Sequence, residues 1–181
     1  MTEIDIEQLK YPIGDFIAQE QYSLNERKAS IDIIENLPNK LKSTIEGFSE
    51  SQFNTVYRPG GWTVRQLVHH LADSHMNSFI RFKLTLTEDV PQLKPYLQAE
   101  WCNMQDAKTL DIAPSMLILE GVHCRLTKVL RNMTDADFNR KLYHPEMKKK
   151  LDLNRMLALY SWHSDHHLAH ITGLKERKGW G

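Results

Sequence analysis

Near the C-terminus four histidines fall within one short stretch. His163, His166, His167 and His170 form two overlapping pairs, each spaced four residues apart. A second group, His69, His70 and His75, lies in the first half of the chain. On a helix, residues i and i+4 are neighbours on one face. Two imidazoles placed so can reach one metal ion at about 2.0–2.1 Å each. A buried imidazole loses its hydration and needs a partner, and a metal ion is one. The chemistry suggested is that of a divalent transition metal held by histidine.

Helical phase ranks the two pairs. At about 100° per residue, Leu153, Leu157, Tyr160, Ser164, His167, Ile171 and Leu174 share one face. His163 and His167 fall on or beside that apolar stripe, His166 points well off it, and His170 sits at its margin. The expectation is that His163 and His167 face the interior while His166 and His170 stay at the rim. Asp165 points to the far side and cannot serve either pair. Two histidines need a third protein ligand, and the segment VHHLADSH offers it. His70 follows the core-facing Leu67 by three residues and is the first choice; His69, nearer the outer flank, is the fallback. Three neutral imidazoles leave a coordination position open, as catalytic sites do.

Positioning these residues takes helices. Ile31, Ile34, Leu37, Leu41 and Ile45 recur at spacings of three and four, the mark of one buried helical face. Pro38 lies inside that stretch and predicts a kink or break. Thr63 and Gln66 form a capping box, so a second helix begins there and carries Val64, Leu67, Val68, Leu71, Phe79 and Phe82 to about Thr87. A third runs from Pro114 to about Asn132, and the last from an Asp152 cap to Lys178, stopped by Gly179. Residues 1–22 read as an extended arm, and residues 88–112, with Pro91 and Pro95, as a long connection between the second and third helices. FSESQFNTVYRP and MTDADFNRKLYHP resemble each other, and each leads into a histidine-bearing helix. Both are read as loops. No strand pattern competes, so the expected fold is an all-α four-helix bundle formed as one domain over residues 1–181.

Composition excludes other classes. Lys plus Arg and Asp plus Glu each number 23 in 181 residues. That balance, with no basic stripe, argues against nucleic acid or a membrane surface as partner. No apolar run approaches the ~20 residues that cross a bilayer, and the N-terminus has no signal-peptide pattern. The two cysteines, Cys102 and Cys124, make no disulfide framework and fit a reducing, cytoplasmic setting. There is no glycine-rich phosphate loop.

The stretch YRPGGWTVRQLVHHLADSHMNSFIRFKLTLTE, together with LALYSWHSDHHLAHITGLKERKGW, closely resembles the YfiT-type branch of the DinB-like superfamily. The similarity extends from about Tyr11 to Gly181. It implies a four-helix bundle, often a homodimer, with zinc or nickel on three histidines, which fall here on His70, His163 and His167. It also implies an activity, either metal-dependent hydrolysis or bacillithiol S-transfer.

For a transferase, the metal would hold a small thiol as its nucleophilic thiolate. A hydrolase would use metal-activated water and usually a carboxylate base. No HExxH-type glutamate adjoins the histidines, which favours transfer of a low-molecular-weight thiol to an electrophile. A non-catalytic metal-binding stress protein is the third class. Asp73 is a candidate carboxylate behind His70. Arg58 and Arg81 could steer an anionic thiol, against the plainer reading of surface ion pairing. Trp62 and Trp162 are read as packing residues.

Overall fold

The computed structural model describes residues 6–180. Four long helices build it: α2 (Leu24–Ile45), α4 (Val64–Thr87), α7 (Ala113–Leu130) and α9 (Leu153–Lys178). Five short helices lie between or before them: α1 (Ile6–Lys10), α3 (Glu50–Phe53), α5 (Gln98–Cys102), α6 (Gln105–Thr109) and α8 (Asp135–Phe138). None of the helices is long and apolar enough to cross a membrane. The four-helix bundle expected from the sequence is present, but of the arm expected over residues 1–22 the described part begins with the short α1, and the connection expected as a loop carries α5 and α6; residues 1–5 of that arm lie outside the described residues. There is also a small addition. Lys141–His144 (β1) and Lys149–Asp152 (β2) pair as an antiparallel hairpin, Leu142 opposite Leu151, where a loop was expected. The strands are short and lysine-rich, and only Leu142 and Leu151 are buried, so no alternation long enough to read exists.

Around the bundle, α2 packs on α9 and α7, and α4 packs on α7 and α9. Successive long helices α2 and α4 are therefore diagonal, as are α7 and α9. Two apolar clusters fix the directions. One contains Ile31, Ile34, Phe82, Leu126, Leu130, Leu153, Leu157 and Tyr160. The other contains Leu37, Leu41, Leu67, Leu71, Leu119, Ile171 and Leu174. The second cluster takes the C-terminal halves of α2 and α9 and the N-terminal halves of α4 and α7. Adjacent α4 and α7 thus run parallel, and the segment between them must return the length of the bundle. This is why residues 88–112 form so long a connection. It is pinned at one end by Leu93 N–H to the Tyr143 carbonyl and at the other by Arg65 Nη1 to the Leu110 carbonyl, 2.9 and 2.8 Å.

Between the clusters three of the long helices change character. Ser74, His75 and Ser78 on α4, His123 and Thr127 on α7, and Ser161, Ser164 and His167 on α9 are buried polar residues. The bundle has a polar waist between two apolar ends. On α2 no polar side chain joins it, and Pro38 sits at that level. The helix runs unbroken through Pro38. The proline leaves the Ile34 carbonyl without a helical N–H, and His123 Nδ1 bonds that carbonyl at 2.5 Å.

The histidine-bearing helices are held at their starts. Thr63 and Gln66 form the expected capping box on α4, and the Asp152 side chain accepts from Arg155 N–H on α9. Gly179 closes α9 at φ 64°, a left-handed turn suited to glycine. The two similar sequence stretches are also similar in form. Each begins with a capped one-turn helix, α3 behind Ser49 and α8 behind Thr134. Each then returns through antiparallel pairing, Val56 with Thr63 in one and the hairpin in the other. We expect Thr63→Ala and Asp152→Ala each to lower unfolding free energy by about 1 kcal/mol, read from urea denaturation of the metal-free protein.

Candidate metal centre

α4 and α9 run antiparallel side by side and face each other across the waist. His70 comes from the second turn of α4; His163 and His167 come from successive turns of α9. His163 Nε2 lies 3.4 Å from His70 Nε2 and 3.1 Å from His167 Nε2. One ligand atom from each of the three lies within 4.8 Å of the others. Nitrogens bound to one ion at 2.0–2.1 Å in tetrahedral geometry stand ~3.3 Å apart, so the observed spacing fits a common ion.

The electrostatics agree. Burial is the first cause of every histidine shift in the centre. It lowers His70 to about 4, with a push from His166. His163 and His167 are driven well below the usual histidine range, by burial and then by neighbouring imidazoles. All three are neutral near pH 7, the form that binds metal. No carboxylate contributes to any of these shifts.

The remaining candidates separate clearly. His69 is spoken for: its Nε2 donates to the Leu110 carbonyl at 3.2 Å, so its Nδ1 accepts from Ser115 Oγ at 2.7 Å. It fastens α4 to α7 and the long connection, and it takes no part in the convergence. Asp73 is raised to about 6 by burial and then by Asp106, and it acts electrostatically on Tyr96 and Cys102. It thus faces the long connection. Asp165 is half-buried and feels Lys40, away from the centre. Cys102 is buried and its thiol is pushed up to about 12, by burial and then by Asp73; such a thiol is unreactive.

His166 and His170 differ from expectation. They are 8% and 4% exposed, not rim residues. Trp162 of α9 and residues outside the bundle cover them. Trp162 stacks on His166 at 4.4 Å and donates its indole N–H to the Gly14 carbonyl of the N-terminal arm, while Tyr57 lies 4.2 Å from His170. A helical wheel cannot see this cover. His166 and His170 meet Nε2 to Nε2 at 3.1 Å and, with His167, make a second triple within 4.8 Å. The two triples are electrostatically unlike. Arg58 acts on both His166 and His170, and Arg177 also on His170, each opposing positive charge there, with Asp15 a lesser opposite influence on His166. No arginine acts on His70, His163 or His167. A cation is better placed in the first triple.

Two cavities meet at His166 and His167. One, of about 290 Å³, is also lined by Ser74, Arg81, Tyr96 and Glu146. The other, of about 380 Å³, is lined by Lys10, Tyr11, Arg58 and Trp62. Arg81 is tied down by bonds to the Tyr160 hydroxyl and the Lys94 carbonyl. Trp62 packs 4.7 Å from the His70 ring. His75 and His123, at 0% and 2% exposure, lie behind His163 in the waist. His75 carried only a positional hint in the sequence. His123 stands alone on its helix, so no spacing could single it out.

A bundle of this topology with an imidazole cluster across its middle defines a class. The DinB superfamily model matches residues 33–171, and the chain belongs to that superfamily. It is 49% identical to YfiT of Bacillus subtilis over 180 residues, 99% of each chain. It is 46% identical to a protein of Geobacillus thermodenitrificans over 175 residues, 97% of this chain and 98% of the relative. Both relatives bear the provisional name of metal-dependent hydrolase. The solved structure of B. subtilis YfiT matches with a TM-score of 0.93 at 49% identity, over 96% of this chain and 99% of that one. It is described as a probable metal-dependent hydrolase with an unusual four-helix bundle topology.

Two outcomes follow. The folded histidines hold their protons more weakly than unfolded ones, so acid favours the unfolded state. Stability of the metal-free protein is fully present above the ordinary histidine value of 6.5. It falls as pH drops from there toward about 4, where His70, His123 and His166 titrate when folded. Melting temperature against pH should show that slope. Replacing His69 by Ala strips partners from Ser115 and Leu110 and should cost about 1–3 kcal/mol, with the metal content of purified protein unchanged.

Proposed function

We propose that this protein is a metal-dependent enzyme that delivers a low-molecular-weight thiol, of the bacillithiol type, to an electrophile, using a divalent ion, zinc or nickel, held by His70, His163 and His167. The observation carrying this reading is the convergence of three neutral imidazoles beside the junction of two cavities. A bound ion in such a site supplies Lewis acidity, lowering the pKa of a thiol or water that reaches it. The chain's own residues do the rest. Two cavities give room for two reactants. Arg58 and Lys10 line one of them and favour an anionic reactant there. Trp62 and Trp162, packed on His70 and His166, restrict water around the imidazoles. In the transfer, a carbon–sulfur bond forms, the leaving group departs with its bonding pair, and the thiol proton passes to solvent.

Hydrolysis is the second reading, and one residue favours it. Glu146, on the hairpin turn, lines the same cavity as His163 and could take a proton from an attacking water. The names of the relatives point the same way.

Metal analysis of the purified chain should find about one transition-metal ion per molecule, and His163→Ala should abolish it. Metal-free protein whose melting temperature is indifferent to added zinc or nickel would refute the site. A panel of small thiols with a generic electrophile separates the reactions. Turnover that requires thiol supports transfer. Thiol-independent ester or amide cleavage, lost in Glu146→Gln, supports hydrolysis instead.

A further inference from the structure

We infer that His75 and His123 are positioning residues that link the metal ligand His163 to the carbonyl freed by Pro38, and that together they fix the tautomer and aim of His163. This rests on the metal reading above.

The polarity of the link is set from its outer end. Pro38 has no N–H, so the Ile34 carbonyl lacks the donor four residues on. His123 Nδ1 stands 2.5 Å from that oxygen. A carbonyl only accepts, so Nδ1 carries the hydrogen and His123 Nε2 is a bare acceptor. At the other end, metal on His163 Nε2 obliges His163 Nδ1 to carry its hydrogen. That N–H points to His75 Nε2 at 3.3 Å, which must accept, leaving the hydrogen of His75 on Nδ1.

The two ends then meet in complementary form. The rings of His75 and His123 stack with centroids 4.7 Å apart and planes 26° apart. His75 Nδ1, now a donor, and His123 Nε2, now an acceptor, are both buried and have no protein partner. They are a donor and an acceptor left open on two stacked rings, a matched pair rather than two of a kind. With the opposite tautomer, His123 would turn a lone pair on the Ile34 oxygen. With the opposite tautomer, His75 would set N–H against N–H at His163. Only one arrangement is free of conflict, and it draws on all four long helices.

A core of this kind could be filled by leucine at less cost. A pair of imidazoles that merely pack would have no reason to be matched in donor and acceptor from both ends. A group behind a metal-binding histidine typically matters 10- to 100-fold in metal affinity.

The decisive measurement is long-range proton–nitrogen NMR of the zinc-loaded full chain at neutral pH. We expect hydrogen on Nδ1 of His123, His75 and His163. Zinc binding with hydrogen on Nε2 of His75 or His123 overturns the link. Failure to bind zinc overturns the metal reading instead. Variants test the consequence through zinc affinity by chelator competition. His75→Phe should weaken binding roughly 10- to 100-fold, and His75→Gln, whose amide oxygen can accept from His163, should recover most of it. Pro38→Ala returns a donor to the Ile34 carbonyl and loosens His123. Zinc affinity should fall several-fold although the metal-free variant melts no lower than the parent. Unchanged affinity in both His75→Phe and Pro38→Ala overturns the proposal. Should His75→Phe fail to fold, Pro38→Ala and the NMR of the parent decide.

Discussion

Imidazoles buried in a helical core without any acid to answer them are the constraint on which this structure turns. Burying a polar ring costs free energy unless its nitrogens find partners. Five neutral imidazoles, those of His70, His75, His123, His163 and His167, share the polar waist, and no carboxylate shifts any of them. The Nε2 atoms of His70, His163 and His167 converge on one another, where a neutral pair can share only one proton at a time. Such a cluster is poorly satisfied alone and well satisfied around a cation. The apolar clusters on either side do the stabilising and confine the polar cost to one layer.

Topology follows from bringing that layer together. Three helices contribute histidine to the waist, and α2, which has none there, contributes a carbonyl. Placing α4 and α9 side by side and antiparallel aligns His70 with His163 and His167. The consequence is that α4 and α7 run parallel, and residues 88–112 must travel back along the bundle. That segment is then available to wall the cavity beside His163, with Tyr96 and Gln98 in its lining. The long connection and the site are thus products of one packing choice.

Much of this was legible in the sequence where the signal is local. The Thr63–Gln66 box and the Asp152 cap mark the starts of the helices that carry His70, His163 and His167, and four-residue spacing pairs His163 with His167. What was illegible depended on contacts between distant segments. His166 and His170 lie off the apolar stripe but are buried, because the N-terminal arm and Tyr57 cover them. Pro38 suggested a break, yet α2 continues, since His123 from α7 occupies the carbonyl that the proline releases. The hairpin at 141–152 escaped notice because its strands carry two buried leucines among lysines. His69 and His70, adjacent in sequence, divide their roles by helical phase. One fastens α4 to its neighbours through Ser115 and Leu110, and the other turns to α9.

The arrangement also has an electrostatic direction. Three neutral imidazoles would leave the full charge of a bound divalent ion uncompensated, whereas a glutamate ligand would halve it. An open position on such an ion attracts an anionic donor more strongly than a neutral one. Arg58 lines a cavity with His166, His167 and His170. It acts on His166 and His170, where a second cation would be repelled and an anion welcomed. The interior side, behind His163, is lined by the neutral imidazoles of His75 and His123; the outer side opens on the cavities, where Arg58, Lys10 and Arg81 stand with Glu146. The cavity lined by Arg58 and Lys10 brings positive charge to the edge of the centre. On the function proposed above, a reactant carrying its own negative charge would supply what the three imidazoles withhold, and the absence of an acid among them would bear on what the site accepts.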